Sequence, residues 1–422
     1  MQDTIFALSS GAPPAGIAVI RISGPGAAGA LEALVGDLPE PRLASLRTLR
    51  DRDGQALDEA LVLWFPKPRT VTGENVAELH CHGGRAVVAA VMAELGALEN
   101  LREAEAGEFT RRAFANGRID LAEAEGLGDL LAAETEWQRR GAMSAAGGGL
   151  SRRIEEWRMR LLGLSAQLEA VIDFSDEDDV EVLPTNFANE LSTLRGEIAN
   201  VLARPSADRL RDGVRIVFAG PPNAGKSSLF NALLDEGAAI VSPVAGTTRD
   251  VIERPVAIGG IPFVFVDTAG LRQEGADEIE AIGIDRAQRE LEKADIMLWL
   301  GPPADCPAGA IQIAPKADLA NAGDEGHAVS AVTGSGLDDL VRMLVDRAKD
   351  LLPPPDRIAF NRRQKESATT CGEHLAGASR VSDALLIAEE LRLGRVALDS
   401  MSGRNSTEDM LDALFGRFCI GK

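Results

Sequence analysis

Four residues define the chemistry to look for. Gly220, Gly225, Lys226 and Ser227 match the phosphate-loop pattern G-x-x-x-x-G-K-[ST]. Backbone N–H groups of such a loop, with the positive end of the helix that follows, cradle the α- and β-phosphates of a nucleotide. Lys226 is expected to reach the β- and γ-phosphates and the Ser227 hydroxyl to ligate Mg²⁺, with Asn223, Ala224 and Ser228 completing the rim. Downstream, Asp267-Thr268-Ala269-Gly270 supplies an Asp near Mg²⁺ and a glycine, Gly270, whose N–H senses the γ-phosphate. Between them, Gly246-Thr247-Thr248-Arg249-Asp250 offers a loop threonine that completes the Mg²⁺ shell when the γ-phosphate is present. Three motifs in this order describe a switch-type GTPase.

Base selection departs from the usual pattern. GTPases of this class carry N-K-x-D, whose Asp accepts from the guanine N1–H and amino group. Here the stretch reads Ala314-Pro315-Lys316-Ala317-Asp318, with proline in place of the asparagine. Asp318 can still select guanine and the Lys316 stem can still cover the base, but the lost hydrogen bond and the stiffening by Pro315 are predicted to weaken binding by about 1 kcal/mol or more. Ser330-Ala331-Val332 resembles the last guanine-contact loop. Leu271 follows Gly270 where many GTPases place a water-orienting Gln. Acidic candidates for that task lie downstream in Glu274, Asp277, Glu278 and Glu280, for which a solvated loop is the plainer reading. Elsewhere, Arg21 and Glu78 are charges inside strand patterns: either a solvated face or a polar small-molecule pocket. His80 and His82 share one strand face, but two ligands without a third read as polar strand residues rather than a metal site.

These residues need a scaffold. Val214–Ala219 is an apolar, β-branched run that reads as a buried strand entering the loop, and Leu229, Leu233 and Leu234 recur at helical spacing after it. Val251–Ile258 and Ile261–Val266 are extended runs joined by Gly259-Gly260, a two-residue hairpin that delivers Asp267. Only about ten residues separate the strands Ile296–Leu300 and Ile311–Ala314, too few for an ordinary helical crossover, so that helix is shortened or absent. Before this domain, Ile17–Ile22, Leu61–Phe65 and Glu74–His82 read as strands. From Leu121 the texture turns helical: Leu150, Ile154, Trp157, Leu161, Leu164 and Leu168 form one stripe, and Asn186–Ala203 is a further helix. Asp173–Glu181 between them reads as a solvated acidic loop. Pro353-Pro354-Pro355 reads as a stiff linker, followed by helices over Asp383–Arg392 and Glu408–Phe418, the latter opened by a Ser406-x-x-Asp409 cap. The nucleotide domain is thus expected to be inserted into a helical domain whose halves pair across it.

Composition narrows the setting. A chain of 422 residues calls for roughly two or three domains. Hydrophobic residues make up 45% and aromatics only 4%, with no tyrosine, so aliphatic packing must dominate. A formal net charge of -21 argues against bulk electrostatic binding of nucleic acid, leaving a local basic patch for any RNA contact. Cys81, Cys306, Cys371 and Cys419 show no zinc spacing and suit a reducing compartment. The start MQDTIFALSS lacks signal-peptide character and no run reaches membrane-spanning length, so a cytoplasmic protein with no membrane contact is expected.

Beyond these motifs, the chain resembles the tRNA-modification GTPase family MnmE (TrmE) over essentially its full length. The resemblance rests on GPPNAGKSSLFNALL, VAGTTRD, DTAGLR with IEAIGIDRA, IAVIRISGP, AELHCHGG, GEFTRRAFANGRIDLAEAEG and the terminal FCIGK. It implies a multidomain fold: an α+β N-terminal folate-binding and dimerisation domain over 1–116, an all-α domain split into 117–210 and 353–422, and an inserted α/β Ras-like P-loop GTPase domain over 211–352. It further implies a K⁺ ion held by Asn223, Thr247 and the backbone of Ser242 and Val244, standing where other GTPases receive an arginine finger. Ser227 and Thr248 match Mg²⁺ ligands, Glu280 the catalytic glutamate with Glu278 as the fallback across a one-residue length difference, and Arg21, Glu78, Arg118 and Lys422 the folate contacts. Cys419 matches a cysteine open to two readings, a nucleophile toward the uracil ring or a structural thiol. The implied activity is installation of an aminomethyl-type group at C5 of the wobble uridine in tRNA. It would use a methylene- or formyl-tetrahydrofolate, a homodimer and a flavin-dependent partner. The competing expectation is a ribosome-assembly GTPase, for which FCIGK has no role.

Overall fold

The computed structural model describes residues 3–173, 186–236, 238–239, 252–267, 289–319 and 325–422. The chain forms two compact units, Met1–Gly128 with Ser402–Lys422, and Asp129–Met401.

The first unit is built on a six-stranded sheet of β1 (Thr4–Leu8), β2 (Ala15–Ser23), β3 (Ser45–Arg50), β4 (Ala56–Phe65), β5 (Val76–Gly83) and β6 (Leu101–Glu103), in the order β3-β4-β5-β2-β1-β6. Strand alternation sorts the faces. Ile20, Ile22, Val62, Leu79 and Cys81 pack one face against α1 (Ala27–Val35) and α2 (Arg85–Gly96) through Leu31, Leu34, Val91 and Leu95. Glu78, His80 and His82 lie on the other face, as the alternation predicts. There α3 (Glu108–Ala115) lays Phe109 on Ile5 and Ala7. Arg112 of α3 is fully buried and donates to Asp3, Glu74 and Glu108, and Arg102 bridges Asp3 and Glu108. α4 (Leu121–Ala132) begins in this unit, where Leu121 and Ala124 pack with Leu411, Phe415 and Phe418.

The second unit carries α5 (Glu136–Ala146), α6 (Gly149–Asp173), α7 (Phe187–Leu202) and α8 (Ala207–Asp212) before its sheet. That sheet has the order β13-β12-β11-β7-β10-β9-β8, from β7 (Val214–Ala219), β8 (Ala238–Ala239), β9 (Ile252–Ile258), β10 (Ile261–Asp267), β11 (Ile296–Trp299), β12 (Ile311–Pro315) and β13 (His327–Val329). Parallel pairing runs from β13 to β10, and β9 returns antiparallel to β10. α9 (Lys226–Glu236) and α10 (Leu337–Leu351) cover one face, where Phe218, Phe230 and Phe265 meet edge-on or tilted. The hairpin turn is as expected: Gly259 and Gly260 have φ of 58° and 76°, the left-handed pair of a type I′ turn. The short crossover is also as expected, since β11 and β12 pair in parallel across a connection whose helix is a single 3₁₀ turn, Pro303–Asp305.

The helical stripe of α6 is buried at all six expected positions. α7 packs against α6 and against α11 (Arg362–Ala378), which precedes α12 (Ala384–Ser402) and α13 (Glu408–Phe415). The inserted sheet leaves the helical layer and returns through two segments laced together. Ala207 N–H donates to Phe360 O at 3.0 Å, Arg362 N–H to Asp208 Oδ2 at 2.7 Å, and Lys365 Nζ to Arg204 O at 3.1 Å.

Three expectations need correction, and one helix was not expected. α11 escaped notice, although Asn361 and Gln364 form a capping box at its start. The helix expected over Asp383–Arg392 runs on to Ser402, because Leu391, Leu398 and Met401 continue its buried stripe. The cap of α13 is Thr407, not Ser406, whose N–H instead closes a turn onto Gly403 O. Pro353 and Pro355 are buried, so the proline run is packed against the body and is not an exposed spacer. The acidic stretch after Asp173 lies outside the described residues.

Candidate functional site

β7 ends at Ala219 and α9 begins at Lys226, so Gly220–Gly225 bridge a buried strand and a helix N-terminus. The turn needs left-handed backbone: Asn223 has φ 60° and Gly225 φ 97°. The first N–H groups of α9 lack intrahelical acceptors by geometry, which makes this mouth an anion site. Lys226 is buried and its Nζ donates to Gly220 O at 3.0 Å and Pro221 O at 2.8 Å. Beside it, Ser227 Oγ donates to Asp267 Oδ2 at 2.9 Å. A hydroxyl and a carboxylate brought that close form a hard-oxygen pair suited to a small divalent cation.

The base end lies on the neighbouring strand ends. A cavity of about 220 Å³ is lined by Gly225, Ser228, Pro315, Lys316, Asp318 and Ala331, among others. Ser330 is fully buried and its hydroxyl is wholly committed. It donates to Asp318 Oδ1 at 2.6 Å and accepts the N–H groups of Val332 and Thr333. Ser330 therefore fixes the pose of Asp318 through one of its two carboxylate oxygens. Lys316, at φ 63°, reaches back to Asn223 O at 3.2 Å and ties the base loop to the phosphate loop. Pro315 brings no side-chain donor to this seam; its ring instead faces Gly225.

Sequence reasoning thus placed Asn223, Gly225, Lys226, Ser227, Ser228, Asp267, Lys316, Asp318, Ser330 and Ala331 on one continuous rim, with Ala224 packed behind it against the core. It did not anticipate that Ser330 orients Asp318. Ser242, Val244, Thr247, Thr248, Gly270, Glu278 and Glu280 lie outside the described residues.

A second cluster lies in the first unit. Arg21 and Glu78 face each other across β2 and β5 and pair at 2.9 Å, with His80 Nε2 3.3 Å from the same carboxylate. The Arg21 guanidinium lies 5.8 Å from the Phe109 ring centre. His82 Nδ1 lies 2.7 Å from Asp58 Oδ1, so each imidazole has its own carboxylate partner. Arg118 donates to Thr70 O at 3.1 Å. The FCIGK tail is docked in this unit: Ile420 bridges Ala106, Ser9 Oγ donates to Gly421 O at 2.8 Å, and Lys422 N–H donates to Cys419 O. Gly421, at φ 92°, passes so near Leu8 that a Cβ would lie 2.2 Å from its carbonyl oxygen. Burial pushes the Cys81 and Cys371 thiols up to about 12, leaving Cys419 as the exposed cysteine among the four. No helix among the described residues is long and apolar enough to cross a membrane.

Comparison with known proteins matches this layout. Residues 4–118 fit the family model described as the GTP-binding protein TrmE N-terminus, and residues 121–419 fit the MnmE helical domain, whose match spans the inserted sheet. The tRNA modification GTPase MnmE of Erythrobacter litoralis is 60% identical, covering 100% of both chains. That of Rhizorhabdus wittichii is 59% identical over 100% of this chain and 97% of its own. That of Novosphingobium aromaticivorans is 56% identical, again with both chains covered at 100%. With two domain models in the expected order and identity this high from end to end, the chain belongs to the tRNA modification GTPase MnmE family.

Proposed function

We propose that this protein is a GTP hydrolase whose cycle drives modification of the wobble uridine of tRNA at C5, forming the aminomethyl or carboxymethylaminomethyl group. The observation that carries the reading is the convergence of Lys226, Ser227, Asp267 and Asp318 on one rim in a chain with full-length kinship to tRNA modification GTPases. GTP binds with its phosphates over the start of α9 and its guanine against Asp318. On binding, Lys226 exchanges its two carbonyl partners for phosphate oxygens, and Ser227 with Asp267 admits Mg²⁺. Asn223 belongs to the K⁺ set with Thr247 and the backbone of Ser242 and Val244, Thr248 to the Mg²⁺ set, and Glu280 to the handling of water, each by family kinship. Bound K⁺ supplies positive charge toward the phosphates.

In the N-terminal domain, the Glu78 carboxylate, oriented by Arg21 and His80, presents acceptors that fit the N–H donors of a tetrahydrofolate ring. Arg118 and Lys422 are assigned to the same ligand by kinship. The domains are 1–116, the helical halves 117–210 and 353–422, and the G domain 211–352. The working form is a cytoplasmic homodimer acting with a flavin-dependent subunit.

The deciding experiment is mass spectrometry of tRNA nucleosides from cells with and without the protein. Modified wobble uridines disappear without it and return with the wild-type gene but not with Lys226→Ala. An unchanged nucleoside profile with disturbed ribosomal particles overturns the reading.

A further inference from the structure

The β9–β10 hairpin joins two regions that no motif connects. At one end β10 delivers Asp267 to Ser227, and β9 begins four positions after Thr248 in sequence. At the other end is the Gly259-Gly260 turn, and a helix from outside the sheet is fastened to it. Thr135 and Gln138 form a capping box that starts α5. Trp137, the second residue of α5, has a backbone N–H with no acceptor within the helix, and it donates to Gly260 O at 3.1 Å. The Trp137 side chain packs against the hydrophobic core of the inserted sheet. Gln138, while capping its own helix, also donates from Nε2 to Arg211 O at 3.2 Å. Next along the helix, α5 comes so close to α8 that a Cβ on Gly141 would lie 2.7 Å from Leu210. The start of α5 is therefore held at three points.

The hairpin is stiff along its length. Seven positions of β9 pair with seven of β10, and five of β10 pair with β7, giving a ribbon of roughly 20 Å. A tilt imposed on this ribbon at the nucleotide end must reappear at its turn, where Trp137 is seated.

Resting on the GTPase reading above, we propose that Trp137 is a coupling residue, through which the helical domain reads the nucleotide state at the far end of the β9–β10 hairpin. It touches neither nucleotide nor metal, and acts by holding α5 to the turn.

Hydrogen exchange on the full-length protein tests this, comparing the GDP-bound form with one bound to a non-hydrolysable GTP analogue. The peptide spanning 134–141 contains the amide that donates to Gly260 O. Its exchange is expected to differ about threefold or more between the two states, and Trp137→Ala to abolish the difference. The same variant is expected to hydrolyse GTP within about twofold of wild type and to restore about tenfold less wobble-uridine modification in cells. Trp137→Phe, which keeps an aromatic filler, is expected to retain most coupling and serves if the alanine variant fails to fold. Equal exchange in the two wild-type states, or full modification by Trp137→Ala, overturns the proposal. An exchange difference in a wild-type protein that modifies no tRNA would count against the proposed function and leave the coupling standing.

Discussion

Two buried cations, one in each unit, show how differently the same charge is used. Arg112 is entirely out of solvent and donates to the carboxylates of Asp3, Glu74 and Glu108. Lys226 is nearly as buried, and its ammonium donates to the main-chain carbonyls of Gly220 and Pro221. Charge-assisted bonds to carboxylates are about twice as strong as bonds to neutral acceptors, and a guanidinium satisfies several at once. The first cation is locked into a lattice, while the carbonyl bonds of the second can be traded for phosphate oxygens. Burial of a charge marks importance; the partners tell whether it serves fold or function.

That contrast can be broken most directly at Arg112. Arg112→Met strands carboxylates in a buried site and is expected to destabilise the first unit by about 3–5 kcal/mol. Urea denaturation of the full chain, followed by exchange in peptides of that unit, measures it. Lys226→Ala is expected to lower GTP turnover by about 10²–10³-fold with little change in the unfolding midpoint. If Lys226→Ala unfolded the inserted sheet, or Arg112→Met left stability intact, the distinction would fail.

Acid sharpens the same comparison. Burial works to raise the Asp3 and Glu108 pKa values, but bonds from Arg102 and the charge of Arg112 outweigh it and hold both carboxyls below their ordinary range. Groups lowered on folding contribute stability that is complete above their unfolded values, near ~4, and lost as pH falls through the folded values. The first unit is therefore expected to lose stability as pH falls below about 4, and Arg102→Gln, which raises both folded values, to lower its stability at neutral pH and flatten that acid dependence.

Smaller effects belong to the base pocket. Ser330→Ala frees Asp318 and strands two N–H groups, and is expected to weaken GTP about fivefold, or about 1 kcal/mol. Pro315→Asn adds a donor at the seam with the phosphate loop and is expected to tighten binding about threefold. Titration with a fluorescent GTP analogue reads both, and weaker binding by Pro315→Asn would count against the seam argument.

Much of the nucleotide site was legible because its signals are local. Six strand residues, a glycine loop and a helical repeat are contiguous between Val214 and Leu234, and the Gly259-Gly260 turn announces its own hairpin. The shortened crossover could be counted from strand spacing alone. The Arg112 lattice could not, since Asp3 and Arg112 are 109 positions apart and nothing near either names the other. Trp137 was equally silent: its helix pattern shows a residue on one face, not the turn at Gly260 that receives it. Ser406 misled because a capping motif fits the sequence one residue too early, and only the turn at Gly403 rules it out.

The laced neck has a consequence for the order in which the protein assembles. Ser206 and Phe360 are 154 positions apart yet hydrogen-bonded. Bringing such distant points of a disordered chain together costs entropy that grows with the logarithm of the loop. Once the inserted sheet has folded, its ends already lie side by side and the effective loop shrinks to a few residues. That shortening spares the helical domain about 3 kcal/mol of closure entropy. The insertion is thus a folding clamp for its host, drawing α7 and α11 within reach of each other.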